Sequence, residues 1–274
     1  MKTAGIVLCG GRSSRMGRPK AWLPWRGRPL VVLVVETLRR VVDEVVVVSS
    51  AELELPPLTA RVVRDREPHR GPLAGIREGL ANIEAELAFV TGTDAPFLTP
   101  VFAKTLLAFG RAAAPSANGF VQTTSAVYPR SALPRAEELI ARGRLRPLYL
   151  LRAAGYREVP PHELPDTESL RGFNTPAEYL ATVREAFPGA TARLEFEGGA
   201  RRRAGRAAID VPVGTLAEVL SQAQPEPLLH RGGRVAPAFL VSLDGREFVR
   251  DTRIPIGPGE RAIVMVAPPE GERT

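Results

Sequence analysis

Short apolar runs alternate with amphipathic segments over roughly the first two thirds of the chain. The apolar runs predict buried β-strands over 4–8, 44–48, 60–63 and 87–91. Apolar residues recur at helical spacing over 29–40 and 72–84, where Pro29 and Pro72 suit a first helical turn. Because strands alternate with helices, we expect right-handed crossovers and a mainly parallel α/β sheet with both faces covered. Ligands of such sheets bind at the carboxyl ends of the strands.

The pattern changes after a predicted helix over 176–187, which begins within "NTPAEY" and is closed by Pro188-Gly189. The segments that follow predict a strand hairpin with a polar Arg/Gly tip at 198–206, a helix near 214–223, and further strands in "PAFLVSLDG", "REFV" and "RAIVMVA". A chain of 274 residues is long enough for two cores. We therefore predict an α/β domain over 1–189 and a small α+β domain over 190–274.

Composition narrows the class of protein. Hydrophobic residues make up 44% of the chain and charged residues 24%, which excludes disorder over most of its length. Cys9 is the one cysteine, and with His69, His162 and His230 it offers too few ligands for a four-coordinate Cys/His zinc site. With no leader pattern and no run near the ~20 apolar residues of a membrane span, we expect a cytoplasmic protein with no membrane partner.

Positive charge is concentrated in the first predicted domain. Residues 190–274 hold 12 Arg and Lys against 11 Asp and Glu, so +6 of the net charge of +7 lies on 1–189. Such an excess favours an anionic partner. Isolated exposed arginines need have no function, however, and we expect Arg18 and Arg26 to be of this kind. The run "ARRRAGR" lacks interleaved aromatic residues, so we expect a solvated loop and no nucleic-acid partner.

The first predicted strand leads into "LCGGRSSRMGRPK", residues 8–20. Glycines after a buried strand let backbone N–H groups approach phosphate oxygens, and the arginines and lysine add full positive charges. The segment matches neither the dinucleotide-binding Gly-x-Gly-x-x-Gly motif nor the Gly-x4-Gly-Lys-Ser/Thr P-loop. It nonetheless predicts a polyphosphate-binding loop.

This segment resembles Leu-x-Gly-Gly-x-Ser-x-Arg-Met-Gly-x-x-Lys of the molybdenum-cofactor guanylyltransferase family, with Cys9 where that family usually has Ala. Four later stretches agree in order: "VVRD" ending at Asp65, "GPLAG" over 71–75, "VTGTDAPFL" containing Asp94, and "FNTPAEY" from Phe173. The resemblance implies a Rossmann-like nucleotidyltransferase domain over 1–189. Ser49 departs from it, because the family often has Asn there.

The resemblance also implies roles for individual residues. Nucleotide binding falls to Leu8, Cys9, Gly10, Gly11, Arg12, Lys20, Asp65, Gly71, Pro72, Leu73 and Asp94. Within this set, the loop and Lys20 hold the triphosphate, Asp65 contacts guanine, and Asp94 holds Mg²⁺. Catalysis falls to Lys20, Asp94 and Arg15, and Asn174 lies near the phosphate of the pterin acceptor.

The residues themselves leave alternatives open. A carboxylate at the carboxyl edge of a parallel sheet, opposite a cationic loop, is well placed to bind Mg²⁺, but Asp94 before Ala95-Pro96 could be a turn residue. Asp65 could be a solvated strand end among arginines, and Asn174 could be a helix cap. Cys9 ends a buried strand and is expected to pack as a small hydrophobic residue, not to act as a nucleophile.

Residues 190–274 resemble the small ubiquitin-like β-grasp sulfur carriers of the same pathway, in "ARLEFEGGARRRAGRAAIDVPVGTLAEVL" and in the strands after it. Working carriers end in Gly-Gly, whereas this sequence ends Glu-Gly-Glu-Arg-Thr. Either the tail is trimmed after Gly271 or the domain has lost carrier chemistry and binds other proteins of molybdenum cofactor biosynthesis. We expect the second.

The implied reaction is Mg²⁺-dependent guanylyl transfer from GTP to molybdopterin, which forms the guanine dinucleotide cofactor and pyrophosphate. Both nucleotide motifs have the form that goes with GTP in the family. Two alternatives stay open: transfer involving CTP or a sugar phosphate, and a non-catalytic nucleotide-sensing adaptor with a β-grasp module for partners. Asp94 and Lys20 together favour catalysis over sensing.

Overall fold

The computed structural model describes residues 1–10, 15–65, 70–222 and 230–268. The chain forms two compact units. The first comprises Met1–Arg12, Pro19–Trp22 and Pro29–Gly172, and the second comprises Ser13–Arg18, Leu23–Arg28 and Phe173–Thr274. The helix expected over 176–187 is thus grouped with the second unit. A domain boundary at 189/190 stays a prediction.

The strands up to Gly172 are β1 (Thr3–Cys9), β2 (Pro24–Trp25), β3 (Arg28–Pro29), β4 (Glu44–Ser49), β5 (Arg61–Arg64), β6 (Leu87–Gly92), β7 (Ala113–Ala117), β8 (Phe120–Val121), β9 (Ser125–Pro129) and β10 (Arg157–Val159). The helices are α1 (Leu30–Arg39), α2 (Pro72–Ala81), α3 (Pro100–Leu107), α4 (Leu133–Ala141) and α5 (Pro147–Ala153). Short 3-10 turns lie at Lys20–Trp22, Arg130–Ala132, Pro161–Glu163 and Glu168–Leu170. The four strands and two helices that periodicity predicts here are all present, each within a few residues of its expected bounds.

The first unit is built on one mostly parallel sheet, as expected. Its strand order is β10-β7-β9-β6-β1-β4-β5, with β8 paired to β7. β1 is an interior strand and runs parallel to β4 and β6, whereas β9 is antiparallel to β6 and β7. Ala4 and Ile6 belong to the apolar core on one face, and Val7 and Cys9 to the core on the other. Because both faces are buried, β1 is a continuous apolar run.

The second unit has a five-stranded sheet of its own. The remaining strands are β11 (Thr191–Phe196), β12 (Ala208–Pro212), β13 (Gly214–Thr215), β14 (His230–Arg231), β15 (Arg234–Val235), β16 (Phe239–Leu243), β17 (Glu247–Val249), β18 (Pro255–Ile256) and β19 (Arg261–Val266). The helices are α6 (Pro176–Ala186), α7 (Gly198–Ala204) and α8 (Leu216–Ser221). The sheet order is β12-β11-β19-β16-β17, in which the central pair β11 and β19 is parallel and the other pairs are antiparallel.

The polar hairpin tip expected over 198–206 is wrong, because this segment contains the helix α7. Ala and Arg favour helix, and Gly205 ends α7 in the left-handed conformation at φ 65°. Ala200 is buried in the core of the unit, and a Cβ on Gly199 would lie 2.9 Å from Val266 Cγ2. Tertiary packing on β19 therefore fixes a short helix where the local sequence indicates a turn.

Within the described ranges, no helix combines the length and the apolar character that crossing a membrane requires.

The capping box at the start of α8 gives a test of stability in the second unit. Thr215 Oγ1 accepts from the Glu218 N–H at 3.3 Å, and Glu218 Oε2 accepts from the Thr215 N–H at 2.7 Å. We expect Thr215→Ala to lower the free energy of unfolding by about 1 kcal/mol, because it leaves a helix N–H without its cap. Urea denaturation measures the change. Thr215→Ser keeps the hydroxyl and should match the wild type; equal losses in both variants would show that the cap does not contribute.

Candidate active site

The carboxyl ends of three adjacent strands meet at one edge of the first sheet. Cys9 pairs with Ser49, and Leu8 pairs with Gly92, so β1, β4 and β6 end side by side. The Thr93 N–H donates to the Leu8 carbonyl at 3.3 Å, which continues this alignment beyond β6. Gly10 follows β1 and is exposed, with open space where a Cβ would stand. Gly11 and Arg12, which the sequence assigns to the same loop, lie outside the described residues.

Lys20 and Asp94 form an ion pair in the first unit. Lys20 lies on the 3-10 turn Lys20–Trp22, and Asp94 lies two residues beyond the end of β6. Lys20 Nζ is 2.6 Å from Asp94 Oδ2, with the two side chains 15% and 34% exposed. A pair at this depth is only partly screened by water, so the lysine adds a localised positive charge beside the carboxylate. The structure thus brings together two residues predicted from separate motifs.

Two glycines leave the space that Asp94 occupies, and neither was singled out from the sequence. A Cβ on Gly92 would lie 2.5 Å from Asp94 Oδ1, and a Cβ on Gly172 would lie 2.5 Å from the Asp94 carbonyl oxygen. Real side chains do not approach this closely, so a larger residue at Gly92 would force the Asp94 carboxylate to move, and one at Gly172 would clash with the Asp94 backbone. Two sequence signals were available: Gly92 stands two residues before the aspartate in "TGTD", and Gly172 stands directly before "FNTP".

The oxygen donors at Asp94 fit a hard divalent cation. Among the described residues, no three His, Cys, Asp or Glu side chains cluster in a way that could hold a metal ion. A cation at Asp94 would therefore take one protein carboxylate and complete its shell with substrate phosphate oxygens and water. Mg²⁺ commonly binds in this way.

Asp65 lies one residue beyond β5, at the same edge. Its N–H donates to the Ser49 carbonyl at 2.8 Å, and its side chain is half-buried. Ser49 is fully buried, and its Oγ is 3.3 Å from Arg64 Nη1. Arg64 Nη1 also donates to the carbonyls of Ser50 and Leu53, both at 2.9 Å. Arg64 therefore binds the loop after β4, next to the half-buried carboxylate of Asp65.

The "GPLAG" segment forms the start of α2. Gly71 has φ 80°, a conformation that favours glycine, and Pro72 occupies the first helical turn. Gly71 and Pro72 are exposed, whereas Leu73 is fully buried in the core. Only the backbone of Leu73 is therefore available for the predicted nucleotide contact.

Three residues of the predicted motifs belong to the second unit. Arg15 is exposed, and so is Asn174, whose N–H donates to Glu178 Oε2 at 2.6 Å. The cap of α6 is Thr175, not Asn174. Arg18, which we expected to be exposed, is buried at 6% exposure because Glu260 pairs with it; Arg26 is exposed as expected.

A sequence profile described as the MobA-like NTP transferase domain matches residues 5–156. The chain belongs to this family. A molybdenum cofactor guanylyltransferase from Rhodobacter capsulatus is 36% identical over 183 residues, which are 65% of this chain and 93% of that protein. The transferase is thus a nucleotidyltransferase by descent, and enzymes of this family generally use a divalent metal.

Solved structures confirm the fold of the transferase. Molybdopterin-guanine dinucleotide biosynthesis protein A from Archaeoglobus fulgidus aligns with a TM-score of 0.54 at 24% identity, covering 64% of this chain and 94% of its own. The 2-C-methyl-D-erythritol 4-phosphate cytidylyltransferase from Thermus thermophilus aligns with a TM-score of 0.52 at 21% identity, covering 66% and 97%. Both leave about a third of the transferase unmatched.

From the Lys20–Asp94 pair we predict that replacing Lys20 slows nucleotidyl transfer by the transferase. We expect Lys20→Met to lower kcat/KM for nucleotidyl transfer about 100–1,000-fold, because a preorganised positive charge is lost where negative charge develops. Pyrophosphate release measures the rate, and circular dichroism confirms folding.

Lys104→Met is the matched control, since Lys104 is an exposed lysine on α3 of the same unit. It should retain the wild-type rate. Equal rates for Lys20→Met and Lys104→Met would contradict a role for Lys20 in the reaction.

Cys9 is expected to be chemically inert. It is 5% exposed, and burial raises the pKa of its thiol to about 12, although Arg64 opposes the shift. At pH 8 the folded transferase should react with a disulfide thiol reagent about 1,000-fold more slowly than a free cysteine, because thiolate is the reactive form. Urea should restore ordinary reactivity, and Cys9→Ala should retain activity. Rapid labelling of the folded protein would contradict this assignment.

Proposed function

We propose that the enzyme transfers the guanylyl group of GTP to the terminal phosphate of molybdopterin, forming the guanine dinucleotide cofactor and pyrophosphate. The observation that carries the proposal is the Lys20–Asp94 pair, at 2.6 Å, with Asp94 two residues beyond the carboxyl end of β6. The name of the Rhodobacter capsulatus relative, a molybdenum cofactor guanylyltransferase, supports the choice of nucleotide and acceptor.

The proposed reaction is an in-line displacement. An oxygen of the acceptor phosphate attacks the α-phosphorus of GTP, the bond from that phosphorus to the bridging oxygen breaks, and pyrophosphate leaves with the electron pair. No protein nucleophile is needed, which agrees with the buried and protonated Cys9. Catalysis then rests on positioning and on neutralising charge.

Each part of the edge has a proposed task in this displacement. Backbone N–H groups after β1 bind phosphate oxygens, as glycine loops after strands do. Lys20 Nζ exchanges the Asp94 carboxylate for the β- and γ-phosphate oxygens and holds the leaving group. Asp94, released from the lysine, is then free to bind a divalent metal; Mg²⁺ bound there would neutralise charge on the phosphates.

Asp65 is proposed to select the base. Guanine presents its N1–H and its exocyclic amine side by side, and one carboxylate can accept from both. Gly71 has no side chain, and Gly71 and Pro72 are both exposed at the start of α2. A base that presents a single donor on this side would leave one oxygen of the Asp65 carboxylate without a hydrogen bond, and this costs binding energy.

The second unit supports a proposal for partner binding. The order of its elements agrees with the resemblance to β-grasp proteins. A first hairpin, β11–β12, is followed by the helix α8 and later by the strand β19, which is parallel to β11. We infer that residues 190–274 form a β-grasp domain that binds other proteins of molybdenum cofactor biosynthesis.

The proposed reaction is tested with the purified full chain, Mg²⁺, molybdopterin and each of GTP, CTP, ATP and UTP. We expect pyrophosphate and a dinucleotide product with GTP. Release only with CTP, or only when a sugar phosphate replaces the pterin, would favour a different nucleotidyltransferase. Nucleotide binding with no release under any condition would favour the sensing adaptor.

Base selection by Asp65 has its own expected outcome. Inosine triphosphate lacks the exocyclic amine, so the wild type should prefer GTP over it by about 10–100-fold in kcat/KM, the value of a hydrogen bond to a charged group. Asp65→Asn should abolish that preference. Glu52→Gln, a change at an exposed carboxylate in the loop after β4, is the control and should preserve it. An unchanged preference in Asp65→Asn would assign base selection to another residue.

A further inference from the structure

Arg18 and Glu260 form a buried ion pair in the second unit. Their side chains are each 4% exposed, and Arg18 Nη1 lies 2.7 Å from Glu260 Oε1. Nη1 also donates to the Pro255 carbonyl at 3.1 Å, and Glu260 Oε2 accepts from the Gly257 N–H at 2.8 Å. The guanidinium is thus bound by β18 and by the segment that links it to β19, although Arg18 is only two residues before Lys20.

The residues just before Arg18 are held in the same unit. Met16 is 1% exposed. Gly17 has φ 73°, and a Cβ there would lie 2.9 Å from Ile254 Cγ2. Gly17 therefore lies close to Ile254, as Arg18 does to Glu260, and Met16 is grouped with them in the second unit.

The residues after the Lys20 turn are anchored in the same way. Trp25 is 1% exposed and packs edge-on against Phe187, with ring centroids 4.9 Å apart. The Tyr179 hydroxyl donates to the Pro24 carbonyl at 2.7 Å. In sequence, the turn Lys20–Trp22 is therefore flanked on both sides by segments that belong to the second unit.

Stability alone does not explain a buried ion pair. Removing two charges from water costs about as much as their attraction returns, and apolar residues of similar size are often as stable. Arg18 Nε is buried without a hydrogen-bond partner among the described residues, so the pair is incompletely satisfied. Unlike an apolar contact, a directional ion pair fixes the segment that contains it in a single register.

We propose that Arg18 and Glu260 are positioning residues for nucleotidyl transfer, because they fix the chain that leads into Lys20. This inference rests on the role proposed for Lys20. Arg18 and Glu260 belong to the second unit, whereas Lys20 belongs to the first.

The test replaces the pair in the full-length protein. Arg18→Met with Glu260→Leu removes both charges and retains the buried volume, so urea unfolding should match the wild type. We expect kcat/KM for pyrophosphate release to fall about 10–100-fold, as small misplacements of a positioning group do. Hydrogen exchange of the peptide over 19–25 should become faster. A purely structural pair would leave both readouts unchanged, and that result would overturn the proposal.

Control variants keep the result interpretable. Arg253→Met with Asp251→Leu replaces an exposed ion pair of the same unit, 2.8 Å apart, and should alter neither readout. If the apolar variant does not fold, Arg18→Gln with Glu260→Gln retains hydrogen bonding without charge and is judged by the same two outcomes.

Hydrogen exchange also separates this inference from the proposed reaction. Exchange in the 19–25 peptide needs no substrate. Faster exchange in the variant, with an inactive wild type, would overturn the proposed reaction and support the anchoring. Unchanged exchange, with an active wild type, would overturn the anchoring and leave the reaction in place.

Discussion

The parallel register of β1 with its two neighbours is the constraint on which the site depends. Cys9 stands opposite Ser49, and Leu8 stands opposite Gly92, so three strands end at one edge. The side chains of β1 alternate between two apolar cores, and a slip of one residue would exchange the two sets. The burial of Ile6 on one face and Val7 on the other therefore specifies where the loop, Asp65 and Asp94 emerge.

Much of the fold could be predicted because its signals are local. The strands β1, β4 and β6 are continuous apolar runs, and α2 and α6 begin with proline in the first turn. α7 could not be predicted, since a segment with two glycines before its arginines is compatible with either a turn or a helix. The packing of Ala200 decides between them, and that packing is made by strands distant in the sequence.

Those residues of the candidate site that lie within a single sequence motif could be predicted. Lys20 and Asp94 each stand in a motif, and parallel topology predicts that the strand ends meet. Gly172 was missed because its close approach to Asp94 exists only in three dimensions, and Gly92 was missed because its place in "TGTD" does not show how tightly Asp94 packs against it. The burial of Arg18 was missed for a similar reason, since its partner lies 242 positions further along. Thr175 and Asn174 are both good caps, and only the backbone conformation selects Thr175.

The crowding of Asp94 between two glycine backbones has a consequence for the entropy of binding. A side chain on an open loop must give up several rotamers when a ligand arrives, and this loss weakens binding. The Asp94 carbonyl lies close to Gly172, so the backbone at Asp94 has already lost part of its freedom during folding. A ligand that binds Asp94, as we propose, would therefore spend less of its binding energy on ordering the backbone at this residue.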